Sequence, residues 1–126
     1  MRTWKGFLPA LAYAALIFAL SAQSHPLAFL PPELLLQDKL LHTLEYAALG
    51  ALLVPGFRLA GLSPRGALFA AVAAASLYGA TDEFHQSFVP GRSADVLDWV
   101  ADTLGATVGA AAVTGLLALR RARGAG

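Results

Sequence analysis

Four long apolar segments determine what this chain of 126 residues can fold into. They cover approximately residues 4–22, 38–54, 66–86 and 95–119 and are rich in Ala, Leu, Val and Phe. A transmembrane helix needs about 20 mostly apolar residues, and these segments lack the strict alternation that is typical of barrel strands. We therefore predict an all-α fold, in which a polytopic four-transmembrane-helix bundle forms a single domain over residues 1–126.

The composition favours the bilayer as the solvent of this bundle. Hydrophobic residues make up 57% of the chain and charged residues only 13%, which leaves too little polar surface to cover a soluble globule. The absence of cysteine excludes disulfides, thiolate catalysis and zinc sites built from cysteine. Nucleic-acid binding is disfavoured, because no basic patch extends beyond the short C-terminal tail.

Lysines and arginines are sorted to one end of the predicted helices. Seven of the nine lie near the chain termini or between the second and third segments: Arg2, Lys5, Arg58, Arg65, Arg120, Arg121 and Arg123. The positive-inside rule places such segments in the cytoplasm. We therefore predict a multi-pass protein of the cell (inner or plasma) membrane with both termini cytoplasmic and its acidic residues toward the outer surface.

The first segment has a second interpretation. Its basic start, apolar stretch and small residues at 19–21 are compatible with a cleavable signal peptide. Because the segment from Trp4 onward is long enough to span the membrane, we predict a retained helix.

Small residues predict close helix packing. Gly105 and Gly109 form a small-xxx-small pair in the fourth segment, and residues 70–75 give the third segment a smooth, alanine-rich face. Such residues let helix backbones approach closely where lipid removes the hydrophobic drive for association.

Polar residues form stripes on the second and fourth helices. The stripe residues are Asp38, His42 and Glu45, with Tyr46 beside them, and Asp95, Asp98 and Asp102. Their spacings of i, i+4, i+7 and i, i+3, i+7 put each set on one helix face, descending about 10 Å along the axis. Asp38 and Ser93 are also candidate N-caps, and the helix dipole favours Asp95 in a first turn.

The third helix ends in a polar run over residues 82–86, in which Asp82, His85 and Gln86 share a face. We predict that Glu83, which lies beside this face, is a solvated rim residue. The three helices should direct their polar stripes toward one outward-facing cavity.

Glu45 and Asp102 are the strongest candidates for a functional role. Neither lies at a helix end, and an ionised carboxylate in hydrocarbon costs at least a few kcal/mol. Both should face the bundle interior, where they are paired, protonated or hydrated. His42 is the natural partner of Glu45 within the helix, and bonding of both residues across helices is the alternative. A purely structural hydrogen-bond network is the competing interpretation of the whole cluster.

The side of the bundle that is predicted to face outward has two basic residues, Lys39 and Arg92. It has eight acidic residues. Arg92 follows a predicted tight turn and could pair with Asp95. Such a site attracts a cation, a proton or an ammonium group, and repels an anion unless a metal bridges it. Carboxylates with imidazole suit divalent ions, so a divalent metal stays open as a cofactor, although no HExxH pattern occurs. No GxSxG motif supports nucleophilic catalysis.

Three stretches together resemble the signature of VanZ-like membrane proteins. They are DKLLHTLEY at 38–46, DEFHQSFVPGR at 82–92 and SADVLDWVADTLG at 93–105. Residues 18–24, FALSAQS, look like the short Ser/Gln element of this family, and the match covers nearly the whole chain. Where the family commonly has Asn near the end of the last element, this chain has Asp102.

The resemblance implies a small integral membrane protein of the cell envelope. The namesake of the family is linked to low-level resistance to the glycopeptide antibiotic teicoplanin. The resemblance also implies a polar core, made here of Asp38, Lys39, His42, Glu45, Tyr46, Asp82, Glu83, His85, Gln86, Arg92, Asp95 and Asp98.

Three functions follow as hypotheses. The first is a VanZ-like envelope protein whose acidic cavity binds a lipid-linked or cationic ligand and affects teicoplanin sensitivity. The second is an intramembrane enzyme acting on a lipid-linked envelope substrate, with His42 or His85 as base and a carboxylate or divalent metal assisting. The third is proton-linked transport through Glu45, which four short helices without repeat symmetry make the weakest.

Overall fold

The computed structural model describes residues 3–21, 38–90 and 96–125. Its elements are, in order, a 3-10 turn at Thr3–Phe7 and the helices α1 (Leu8–Ser21), α2 (Asp38–Leu59), α3 (Pro64–Gln86) and α4 (Val96–Ala125). No strand occurs in these described ranges, which confirms the predicted all-α fold class.

α2 continues through Pro55 to Leu59, so the predicted end at residue 54 is wrong. Proline lacks the N–H that would bond one turn back, and it normally kinks or breaks a helix. Here the following residues pack against the N-terminal turn. The Phe7 ring lies against Gly56 and meets the Phe57 ring edge to face, with 4.9 Å between the ring centroids. Tertiary packing therefore supports a helix that the local sequence disfavours.

A glycine-based cap ends α2, and a serine cap begins α3. Gly61 has a φ of 104°, and the Leu62 N–H donates to the Phe57 carbonyl at 3.1 Å. This Schellman arrangement needs a positive φ, which glycine adopts without strain. The Ser63 hydroxyl then accepts a hydrogen bond of 3.1 Å from the Gly66 N–H. The connection is thus short, and α2 and α3 run antiparallel.

The remaining helix boundaries differ from the prediction by a few residues. α1 is preceded by a 3-10 turn, α3 begins two residues earlier than predicted, and α4 continues six residues further. Alanine and arginine are strong helix formers, which accounts for the extension of α4 through the basic tail. The predicted end of the first helix at residue 22 lies outside the described residues.

Glycines bring α2 and α4 into backbone contact. A Cβ atom on Gly105 would lie 2.1 Å from the Thr43 carbonyl oxygen, and one on Gly109 would lie 1.8 Å from that of Ala47. Gly50 makes the same kind of contact from the α2 side. No real side chain fits at such distances, so the close packing predicted from Gly105 and Gly109 is confirmed.

Small residues and buried polar side chains fill much of the bundle interior together with Ile17, Leu49 and Val54, whereas many other large apolar side chains are exposed. The buried face of α3 repeats at four-residue intervals: Ala67, Ala71, Ala75 and Gly79. On other sides of α3, Phe69, Leu77 and Phe84 are 69%, 70% and 69% exposed. Apolar surface on this scale is unusual for a soluble monomer and is typical of contact with lipid or a partner.

Two of the described helices are long and apolar enough to cross a membrane. The spans are Leu40–Leu59 in α2 and Val96–Gly124 in α4, and 33% of an apolar 18-residue stretch within each is buried inside the protein. Trp4–Leu20 is a shorter apolar helix. α3 has 23 residues, but Arg65 near its start and Asp82 and Glu83 near its end lower its mean hydropathy. The predicted four-span bundle therefore stays a prediction.

The helices alternate in direction, so the bundle has two chemically different ends. The polar end holds the last turns of α1 and α3 and the first turns of α2 and α4, where Phe18 of α1 stacks on His85 of α3. The basic end holds the opposite helix ends. There Arg58 and Arg121 line one cavity of about 120 Å³.

Candidate functional site

A histidine–aspartate pair joins α2 to α4 at the polar end. The His42 Nδ1 atom lies 2.8 Å from Asp102 Oδ1, although the two residues are 60 positions apart in sequence. His42 is 6% exposed and Asp102 is fully buried. For His42, the structure shows the cross-helix alternative rather than an exclusive pairing with Glu45 on the same helix.

Glu83 and Asp98 complete a buried group around the imidazole. His42, Glu83 and Asp98 each offer one ligand atom within 4.8 Å of the other two. Glu83 Oε1 lies 3.9 Å from His42 Nδ1. Glu83 is only 7% exposed, so its predicted position at a solvated rim is wrong. The helical repeat of Ala67 to Gly79 continues directly into Glu83, which puts this side chain on the buried face of α3.

Tyr46, Asp82 and Gln86 extend the polar interior toward α3. The Tyr46 hydroxyl donates to Asp82 Oδ2 at 3.2 Å. All three residues are buried. Within the described part of the chain, Asp82 Oδ1 and Asp102 Oδ2 have no hydrogen-bond partner. The polar interior therefore contains carboxylate oxygens with unused acceptor capacity.

Glu45 and His85 are not members of the three-residue group of His42, Glu83 and Asp98. Glu45 is half-buried on α2. His85 is also half-buried, and its ring stacks on Phe18 with 4.5 Å between the centroids and 17° between the planes. His85 thus turns toward α1, while Asp82 and Gln86 turn inward.

Four members of the predicted cluster fall outside the described side chains. They are Asp38, Lys39, Arg92 and Asp95. Asp38 and Lys39 belong to the first turn of α2 by their backbone, and the capping roles considered for Asp38 and Ser93 likewise lie outside what the structure describes.

Tyr78 connects the polar interior to α1, and sequence reasoning missed it. Its hydroxyl donates to the Ala14 carbonyl, and its ring lies 6.4 Å from the Tyr46 ring between centroids. The available signal was spacing, because Tyr78 precedes Asp82 by four residues and so shares its helix face.

A second missed network joins α3 to α4 beside the buried group. The hydroxyl groups of Ser76 and Thr103 lie 2.9 Å apart, and Trp99 Nε1 donates to the Ser76 carbonyl at 2.9 Å. Opposite them, a Cβ atom on Gly79 would lie 3.0 Å from Asp102 Oδ2. These contacts hold α4 in the rotation that turns Asp98 and Asp102 inward.

An apolar groove of about 420 Å³ reaches Tyr78 from the side of α1. It lies between the N-terminal turn, α1, α2 and α3, and Trp4, Leu11, Leu53 and Tyr78 are among its lining residues. Tyr78 therefore contacts the groove on one side and Tyr46 on the other.

The buried site and the helices that form it lie within a region that matches a known family. The family model described as VanZ/LLP1 matches residues 7–118, which include His42, Glu83, Asp98 and Asp102. No curated protein and no solved structure was found to match. The matched region covers most of the sequence. It includes the three polar stretches at 38–46, 82–92 and 93–105 that resemble the signature of VanZ-like proteins. The chain belongs to the VanZ/LLP1 family.

Proposed function

We propose that this protein is a four-span envelope membrane protein that binds the polar head of a lipid-linked or cationic ligand at its polar end. The observation behind this proposal is a group of buried carboxylates around one imidazole, beside an apolar groove. Membership of the VanZ/LLP1 family supports a membrane protein of the envelope.

Exposure of apolar side chains supports four spans rather than two. Leu11 and Leu16 on α1 are 59% and 51% exposed, and Phe69 and Leu77 on α3 are 69% and 70% exposed. These values match those of Leu104 and Val108 on α4, which are 59% and 65%. Lipid would cover all of these faces equally well, so α1 and α3 fit beside α2 and α4 as membrane helices.

Charge supports a ligand with a cationic component. Asp82, Glu83, Asp98 and Asp102 are buried near His42, and no lysine or arginine is buried among the described side chains. Ionised carboxylates inside a membrane protein are costly unless they are paired, and for this reason they mark binding or transport sites. A cation at the polar end would offset this negative charge.

The groove supports a lipid-linked ligand. Its lining is largely aromatic and aliphatic, and it extends from Trp4 to Tyr78, which lies beside the polar interior. An acyl or isoprenoid tail fits this chemistry, while the polar head of the same molecule would reach toward Tyr46 and Asp82.

The proposed topology predicts opposite labelling of the two ends. The natural chain has no cysteine, so Ser87→Cys at the polar end and Ala60→Cys at the basic end can each be tested alone. Both positions are exposed. A membrane-impermeant maleimide should label Ser87→Cys when only the outer face of the membrane is accessible, and Ala60→Cys only after lysis. Labelling of both variants from the same side would contradict the four-span orientation.

The proposed ligand site predicts a phenotype for an isosteric change at Glu83. In the organism that carries the gene, Glu83→Gln should shift teicoplanin sensitivity as far as deletion does, because it removes one buried charge without changing side-chain volume. Phe84→Leu is the matched control, since Phe84 is the neighbouring residue and is 69% exposed. An unchanged teicoplanin inhibitory concentration in both the deletion and Glu83→Gln strains would contradict this role.

The His42–Asp102 pair favours an enzyme as the second candidate function. A carboxylate that accepts the Nδ1–H leaves the lone pair of the imidazole on Nε2, the state that a general base requires. Such a base could activate water toward a lipid-linked envelope substrate. The two functions differ in whether the ligand is chemically changed, which mass spectrometry of a lipid-linked precursor after incubation with the purified protein would decide.

A further inference from the structure

We infer that His42, Glu83 and Asp98 form a divalent-cation site, with Asp102 as a positioning residue, and that this cation binds a phosphate in the polar head of the ligand. This inference rests on the proposed function, because it specifies the chemistry of the same polar end.

The three ligand residues come from three different helices and converge inside the bundle. Their ligand atoms lie within 4.8 Å of one another, a separation that one metal ion can bridge after small side-chain adjustments. All three side chains are buried, with exposed fractions of 6%, 7% and 5%. One imidazole and two carboxylates suit borderline divalent ions such as Zn²⁺ and Mn²⁺.

Asp102 occupies the position of the carboxylate that usually accepts a hydrogen bond from a metal-binding histidine. A histidine that binds a metal through one ring nitrogen typically donates its other N–H to a carboxylate, which fixes the tautomer and the ring orientation. The contact of 2.8 Å between His42 Nδ1 and Asp102 Oδ1 meets this description. In the tautomer that donates Nδ1–H to Asp102, Nε2 carries the lone pair that can bind the metal.

Unused acceptor capacity is the independent observation that favours a cation. Asp82 Oδ1 and Asp102 Oδ2 lack hydrogen-bond partners within the described residues, and their side chains are 3% and 0% exposed. Buried carboxylates normally have their oxygens satisfied. A nearby divalent charge would stabilise these oxygens electrostatically without contacting each one.

The cation also explains how an acidic site could accept an envelope lipid. Lipid-linked envelope molecules carry phosphate groups, which the buried carboxylates alone would repel. Three protein ligands leave coordination positions open, as in catalytic metal sites, and a phosphate oxygen can occupy one of them. The site would therefore select a phosphate-bearing head through the metal.

Metal analysis of the purified protein tests the inference. After purification in detergent and dialysis against metal-free buffer, the protein is titrated with ZnCl₂ and with MnCl₂ by calorimetry. We expect about one equivalent of one ion per chain for the natural sequence and less than about a tenth for Glu83→Gln and Asp98→Asn. Both variants preserve side-chain volume, and size-exclusion chromatography verifies that they stay folded.

Two further variants distinguish residues that bind the metal from a residue that only positions a metal ligand. Asp102→Asn should keep the stoichiometry but weaken metal affinity by about 10- to 100-fold, because the supporting carboxylate is lost. Thr107→Val is the matched control: it changes an exposed side chain of α4 outside the ligand set and should keep the full affinity.

The outcomes distinguish this inference from the proposed function. Less than about a tenth of an equivalent of both ions in the natural protein, or equal binding by Glu83→Gln, would overturn the metal site. If Glu83→Gln still changes teicoplanin sensitivity in that case, the ligand site stands without a metal.

Discussion

Gly109→Leu should prevent α2 from packing on α4, and the folded protein should not be recoverable in quantity. Even the Cβ atom would lie 1.8 Å from the Ala47 carbonyl oxygen and 2.9 Å from its Cα atom. Backbone atoms cannot move aside as a flexible side chain can, so the helices must separate. Overpacking typically costs about 1–3 kcal/mol, and we expect this position to reach or exceed the upper value. Thermal unfolding of the detergent-solubilised protein measures the effect, with Gly109→Ala as the milder variant.

A glycine farther along the same helix provides the matched control. A Cβ atom on Gly115 would meet no atom within 4 Å apart from its chain neighbours and the nearby backbone of its own helix. Gly115→Ala should therefore leave the melting temperature unchanged, or raise stability by up to about 1 kcal/mol through helix propensity. Equal melting temperatures for the Gly109→Ala and Gly115→Ala variants would show that the contact between α2 and α4 does not limit stability.

His42→Leu should produce the second large effect, a loss of about 3–5 kcal/mol in the free energy of unfolding. His42 is the only buried basic side chain among the described residues, and it contacts Asp102 at 2.8 Å. Its removal leaves buried carboxylates without their nearest compensating group. The measurement is thermal or denaturant unfolding in detergent, compared with His42→Gln, which keeps an N–H donor.

The double variant His42→Leu/Asp102→Leu tests the cause of this loss. Replacing both members of a buried polar pair by apolar residues is often nearly neutral, whereas removing one member is costly. The double variant should therefore be more stable than His42→Leu alone, with a coupling energy of about 0.5–3 kcal/mol. Strictly additive losses would show that the pair contributes nothing as a unit.

Helical spacing was sufficient to place several residues of the buried group. His42, Asp98 and Asp102 lie on inward faces because their periodicity coincides with that of the small residues that pack the helices. Gly105 and Gly109 could likewise be recognised, since small residues four apart have one dominant use in membrane helices. All of these signals are local to one helix.

The contacts between different helices could not be predicted from the spacing of residues within one helix. The pairing of His42 with Asp102, 60 positions away, depends on how far each helix is rotated about its axis. The polar run at 82–86 does not show that Glu83 is buried, because the alanine repeat of α3 determines the direction of this side chain. The passage of α2 through Pro55 depends on Phe7 packing beside it, a contact between distant parts of the chain.

The buried group takes its residues from three helices, so it is complete only after the last of them has been synthesised. A chain is synthesised from its N-terminus, so α2 is made before α4 and His42 is present before Asp102 exists. Glu83 reaches the membrane in the same unfinished state, without Asp98. In the proposed four-span protein, these polar side chains must be sheltered until α4 arrives, by the insertion machinery or by retention near the membrane surface. Truncation before α4 would therefore yield a fragment that membrane quality control removes, rather than a smaller working protein.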